Sequence, residues 1–246
     1  MFKATKKSLV IAALGGLIAV GCSDTSGPGG NGMSLSVAIA QPGSAGQNSL
    51  VPVTDAAGNT LDITLAEMIV SEIEFETAES DCDQSTVQDE CHEFNAGPLF
   101  LTLPLNGGLL TIGTQGVPFD SIHQVELEIE RPDEDDNATA ALRAAHPTFP
   151  RTASVHVVGT YNGQPFDVYL SPEAELELEF QPPLPASAVS NVTIQINVTN
   201  WFRNVDGNFI DPRSLASSSA ARERVNENVQ FSFDAFEDSD RDGRDD

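Results

Sequence analysis

Three segments of this chain alternate glutamate with a large apolar residue so strictly that one backbone conformation suits them. Glu72, Glu74 and Glu76 interleave with Ile73 and Phe75, Glu126, Glu128 and Glu130 with Val125, Leu127 and Ile129, and Glu175, Glu177 and Glu179 with Leu176, Leu178 and Phe180. Successive side chains of a strand point to opposite faces, so a period of two specifies strands with one buried and one wet face. Val192, Ile194, Ile196 and Val198 repeat the pattern against Thr193, Gln195 and Asn197, and Val229, Phe231 and Phe233 close the series.

The sharpest local expectation is a hairpin in SVHVVGTYNGQPFDVYLS. Asn162-Gly163 is the two-residue loop preferred where both central residues need positive φ. That loop pairs Tyr161 with Gln164, Gly159 with Phe166, Val157 with Val168 and Val155 with Leu170, placing the aliphatic partners on one face. Phe166 then lies opposite Gly159, where an aromatic ring covers bare backbone.

Helical signals are sparse: Ala138 to Ala145 and Ser214 to Val225 each suit a short helix without a sustained apolar stripe. QPPLP, Gln181 to Pro185, reads as an extended connector between strands. About nine or ten strands with short loops and no βαβ alternation point to an all-β fold, a two-layer antiparallel sandwich of immunoglobulin-like or transthyretin-like architecture. A closed β-barrel is the alternative.

The first residues read as an address. Lys3, Lys6 and Lys7 precede an uncharged aliphatic run from Leu9 to Val20 and the small Gly21, the layout of an export signal. The run is short of the about 20 apolar residues that cross a bilayer. Ala19-Val20-Gly21-Cys22 resembles the lipobox of bacterial lipoprotein signal peptides, with Ala19 standing where Leu is commonest. The resemblance implies cleavage before Cys22, a diacylglyceryl thioether on its sulfur and usually a third acyl chain on the new amine. Two or three chains anchor firmly, since each buried CH₂ contributes about 0.8 kcal/mol. By the same resemblance, Ser23 after the cysteine favours the outer membrane.

The organisation that follows is a signal peptide over 1–21, a lipidated cysteine and Gly/Ser-rich tether over 22–32, a β-sandwich domain over 33–236 and an acidic tail over 237–246. As a whole this resembles bacterial cell-envelope lipoproteins that hang a β-sandwich from a flexible tether. A likeness of architecture carries over no binding or catalytic residue.

All the lysines lie in the signal, so the chain from Cys22 onward carries nine arginines against 37 carboxylates, a formal net charge of −28. Such a surface repels nucleic acid and anionic lipid and leaves cations and basic partners. Of the 3 cysteines, assigning Cys22 to lipid leaves Cys82 and Cys91 as a pair. In an oxidising envelope they are expected to form a disulfide closing CDQSTVQDEC, stabilising by about 2.5–3 kcal/mol on the chain-entropy model. A metal reading of Cys82, Cys91 and His92 is weaker, because no fourth ligand with zinc-like spacing stands nearby.

The catalytic motifs are missing: no G-x-S-x-G, no H-E-x-x-H, no P-loop. His92, His123, His146 and His156 are scattered, and His123 and His156 are expected to be ordinary sheet residues. The expectation is a non-enzymatic protein without a resident cofactor. Like charges directly opposite on neighbouring strands are destabilising, so the three glutamate strands are expected to stand apart, each solvated; adjacency would call for cations between them. Asp133-Glu134-Asp135-Asp136 reads as a solvated loop.

In the tail, Asp238, Asp240, Asp242 and Gly243 reproduce the first half of a calcium loop. The chain stops at the ninth position, Asp246, so the bidentate Glu of a complete loop is absent, and a disordered or weakly calcium-responsive tail is expected. Trp201, the sole tryptophan, reads first as core at a strand end. The second reading exposes it beside Asp206, Asn208 and Asp211, where it contacts sugar or a partner. Three functions are therefore carried forward, in this order: a lipid-anchored envelope protein with a structural or interaction role assisted by calcium, a carbohydrate- or ligand-binding module centred on Trp201, and a hydrolase, which needs a pocket with a nucleophile, a base and oxyanion donors in mutual reach.

Overall fold

The computed structural model describes residues 31–40, 52–77, 93–117, 120–135, 137–185 and 191–244. The three glutamate segments and the Val192–Ile196 segment become strands, and the described residues gather into three sheets. Strands β1 (Asn31–Ile39), β7 (Leu110–Val117), β12 (Asn191–Ile196) and β13 (Phe233–Glu237) form the first, in the order β13-β12-β1-β7. Here β1 and β12 run parallel, with Val37 opposite Ile194, which departs from the all-antiparallel expectation. Strands β2 (Val53–Thr54), β3 (Thr60–Val70), β9 (Val155–Tyr161) and β10 (Gln164–Leu170) form the second, ordered β10-β9-β3-β2, with β6 (Leu99–Thr102) also paired to β3. The third contains β4 (Glu72–Glu76), β5 (Glu93–Ala96), β8 (Ser121–Ile129) and β11 (Ala174–Pro185), ordered β11-β8-β4-β5.

The sheets turn their apolar faces onto one core. Val37, Ile194, Met68, Val157, Phe75 and Leu127, drawn from all three sheets, belong to a single buried cluster. The fold is an all-β sandwich, and no sheet among the described residues closes into a barrel. Between β3 and β4 the chain passes from the second sheet to the third through Ser71. Its N–H (2.9 Å) and its Oγ (3.0 Å) both donate to the Glu128 carbonyl. That pair of bonds docks β4 beside β8.

The hairpin forms in the expected register: Tyr161 opposite Gln164, Gly159 opposite Phe166, Val157 opposite Val168 and Val155 opposite Leu170. Asn162 (φ 52°) and Gly163 (φ 73°) take the two positive-φ positions, and Asn162 Oδ1 accepts the Thr60 N–H at 2.8 Å. Gly159 has no room for a side chain: a Cβ there would lie 2.1 Å from the Asp62 carbonyl oxygen and 2.9 Å from the Phe166 ring.

Two expectations fail for local reasons. QPPLP does not connect strands, since β11 runs through it. Pairing with β8 lapses after Glu179 and resumes at Leu184 opposite Ile122. Proline supplies no N–H to a ladder, so Pro182 and Pro183 are tolerated on this edge strand at the irregularity. Helix α1 (Asn137–Ala145) lies where expected, but α2 spans Ser219–Gln230, later than the sequence suggested. Ser218 caps it, its Oγ accepting the Ala221 N–H, while Val225 and Val229, one turn apart, are both fully buried. Val229 is therefore a helical core residue, and Phe231 beyond it is exposed.

Candidate functional site

The three glutamate strands are neighbours, which overturns the expectation that they stand apart. In register across β11, β8 and β4, Glu175 faces Glu128 and Glu128 faces Glu72, while Glu177 faces Glu126 and Glu126 faces Glu74. A third row sets Glu179 and Glu76 on either side of Gln124. The apolar residues between them explain the alignment: Ile73, Phe75, Val125 and Leu127 are buried on the inner face, and a one-residue slip would turn them to water. With the inner face fixed, the carboxylates have no freedom to avoid one another.

The rows differ in exposure. The β11 glutamates are exposed and those of β8 and β4 half-buried. Burial, followed by repulsion from and a shared hydrogen bond with Glu175, then Glu177 and Glu128, pushes the Glu126 carboxyl up to about 7. Glu128 is raised as well, by burial and then by Glu130, Glu72 and Glu175. Glu126 is thus the node of the face. One oxygen from each of Glu126, Glu175 and Glu177 lies within 4.8 Å of the others, and the same holds for Glu74, Glu76 and Glu126. Clustered carboxylate oxygens of this kind can share protons or bind hard cations such as calcium and magnesium.

The described part of the tail folds back in turns and bends up to Arg244, and Asp238, Asp240 and Asp242 come together with an oxygen of each within 4.8 Å of the others. Asp238 is fully buried, however, and its carboxylate is occupied by protein donors. It accepts the Thr193 hydroxyl at 2.6 Å, the Asp242 N–H at 2.9 Å and the Gly243 N–H at 3.0 Å. Asn191 and Ser36 extend this chain of bonds into the first sheet. Asp238 therefore pins the tail to β12, and only Asp240 and Asp242 present exposed carboxylates beside it. Asp246 lies outside the described residues, as do Cys22, Cys82, Cys91 and His92.

No protein-family model, curated protein or solved structure matches the chain.

Trp201 corrects the exposed reading. Its ring is completely buried in the core, and its Nε1–H donates to Ser232 Oγ at 2.6 Å. A sugar cannot stack on it, so the carbohydrate reading loses the residue that suggested it. His123 and His156 sit on β8 and β9 as expected. His156 does more than fill a sheet position: its Nδ1 lies 2.9 Å from Glu67 Oε2 and its Nε2 3.0 Å from Asp167 Oδ1. Its ring stacks on Tyr169 with centroids 4.2 Å apart. Only the outward position of His156 on β9 signals this in the sequence, because its partners lie on other strands. In the acidic loop, Glu134 is paired with Arg143 and Arg151, so that residue is not simply solvated.

Proposed function

We propose that this chain is a lipid-anchored, non-enzymatic protein of the bacterial cell envelope, with a structural or interaction role in which divalent cations, calcium foremost, neutralise its glutamate face. The observation that carries the reading is the registered rows of carboxylates across β11, β8 and β4. Like charges directly opposite destabilise a sheet, and the chain beyond its signal has no lysine to compensate them. A bound divalent cation turns that repulsion into bridging. An envelope protein or anionic glycan bridged through the same ions is the partner such a face suits. The lipobox at Cys22 supports the anchor, and the Gly/Ser tether after it lets the domain stand off the membrane.

Calorimetric titration of the full chain in detergent with calcium chloride tests the cation role. Binding is expected to survive truncation before Asp240 and to weaken in Glu126→Gln. No binding after that truncation would sink the role assigned to the glutamate face. The anchor is tested separately, since Cys22→Ser is expected to move the protein from the membrane to the soluble fraction.

A further inference from the structure

The free edge of the second sheet borders a cavity whose charge is opposite to that of the glutamate face. Strand β10 ends that sheet. Pro165 to Tyr169 along it form one side of a cavity of about 550 Å³, and the helical turn Pro212–Ala216 with Arg222 of α2 forms the other. Ala153, Phe166, Pro212 and Leu215 are buried and give it an apolar floor. Small-molecule pockets span about 300–1,000 Å³ and are lined in this way, apolar with a few placed polar groups. The charge belongs to Arg222. Its Nη1 donates to the Tyr169 carbonyl at 3.3 Å and its Nη2 to the Leu215 carbonyl at 3.1 Å. Neutral carbonyls hold the guanidinium in place without cancelling it, and they leave N–H donors over. No ion pair among the described residues joins Arg222 to a carboxylate, whereas Arg213 on the rim is closed onto Asp211 at 2.6 Å and Asp167 onto His156 at 3.0 Å. Beyond its signal the chain has 37 carboxylates against nine arginines, so a cation kept apart from them beside an apolar floor points to an anion from outside.

The hairpin register supplies further donors. Tyr161 and Gln164 close the turn and exchange bonds, so Phe166 and Val168 direct their peptide groups to β9 while Asp167 and Tyr169 direct theirs to the open edge. The bond from Arg222 to the Tyr169 carbonyl follows that alternation. Pro165 has no N–H and the Tyr169 carbonyl is taken, so this edge is not laid out for a further strand. The N–H groups of Asp167 and Tyr169 remain as donors. We propose that the cavity binds a small organic carboxylate with an aromatic or aliphatic body. Arg222 and the Tyr169 N–H receive the carboxylate, and the body lies on Phe166 and Leu215. Guanidinium and carboxylate form one of the stronger hydrogen-bonded pairs, and the floor adds the burial of the apolar body.

Naphthoate is titrated calorimetrically into the full chain in detergent, against a blank of detergent alone and with no calcium present, so the outcome does not depend on the reading of the glutamate face. Naphthamide, the same rings without the charge, and acetate, the charge without the rings, are titrated alongside. Naphthoate is expected to bind, and each companion to bind at least about tenfold more weakly. Arg222→Gln is expected to lose about tenfold in naphthoate affinity, as befits a lost bond to a charged group, and Arg222→Lys to recover part of it. Because Arg222 also ties α2 to β10, Ala216→Phe serves as the second variant. Ala216 is exposed and lines the cavity, so a ring there fills the space from outside the core, and naphthoate binding is expected to vanish with the Tm unchanged. Naphthamide binding as tightly as naphthoate would overturn the role of the anion. Absence of naphthoate binding to wild type, or unchanged affinity in Arg222→Gln and Ala216→Phe, would overturn the site.

Discussion

The outer faces of the second and third sheets, reached by one continuous run of chain through β3 and β4, solve the same problem in opposite ways. On the second, Glu67 of β3 stands opposite His156 of β9, and His156 opposite Tyr169 of β10. A ring able to carry positive charge thus sits between Glu67 and Asp167 and is stacked on an aromatic neighbour. On the third, every glutamate of the two full rows faces another glutamate. The inner faces are alike, since both sheets bury aliphatic and aromatic residues in one core. The difference teaches that the inner face decides which strands pair, and that the outer face of the third sheet is not arranged for the stability of the isolated chain. A surface kept repulsive against the interest of stability is where function is to be sought.

That comparison can be broken most forcefully from below. Phe75→Ala, which removes a fully buried ring under the glutamate rows, is expected to cost about 3–5 kcal/mol in urea unfolding. A loss under about 1 kcal/mol would show that the inner face does not hold those strands together. On the second sheet, His156→Ala leaves Glu67 and Asp167 without the ring between them, and an expected loss of about 2 kcal/mol follows from the bonds to charged groups. A neutral result would mean that charge complementarity is not what separates the two faces.

A pH series sharpens the contrast. The folded state holds the Glu126 proton more tightly than the unfolded chain, so its contribution to stability is complete below 4.5 and is lost as pH rises through about 7. Between those values the unfolding free energy is expected to fall by on the order of 1–2 kcal/mol after screening, read as a falling Tm, and Glu126→Gln is expected to flatten the slope. Asp55 works in a different window and with the opposite sign. Burial raises its carboxyl, but hydrogen bonds from Phe209, Asn59 and Ala57 outweigh this and hold it down to about 2, so its contribution is present above 3.8 and is lost as pH falls through about 2. The smallest effect concerns salt. Raising sodium chloride from about 0.02 M to about 0.5 M screens the glutamate rows and is expected to raise the Tm of wild type more than that of Glu126→Gln.

Much of this molecule is readable one segment at a time. The hairpin at Asn162-Gly163 appears with its full register because turn chemistry and the period of two act within a few residues of each other. Val229 shows the limit of the same reasoning: its alternation with Phe231 and Phe233 imitates a strand, while the cap at Ser218 and the one-turn spacing from Val225 favour a helix, and packing of both valines into the core decides for the helix. Asp238 was legible as one of three alternating carboxylates. Its burial against Thr193 was not, because 45 residues separate the partners.

The sequence by itself determined that the glutamate segments and the Val192–Ile196 segment are strands, which of their faces is wet and how the tight hairpin at Asn162-Gly163 closes, since each follows from local geometry. It also carries Ala19-Val20-Gly21-Cys22, whose resemblance to a lipobox is the ground of the proposed anchor. Only the tertiary structure decided that the three glutamate strands lie side by side and that Trp201 is core. The reason is physical: Ile73 and Phe75, Val125 and Leu127, and Leu176 and Leu178 offer nearly equivalent apolar faces, so nothing local selects one neighbour over another. Strand order is chosen by the packing of the whole core, and that choice gathers three separate ladders of charge into one face.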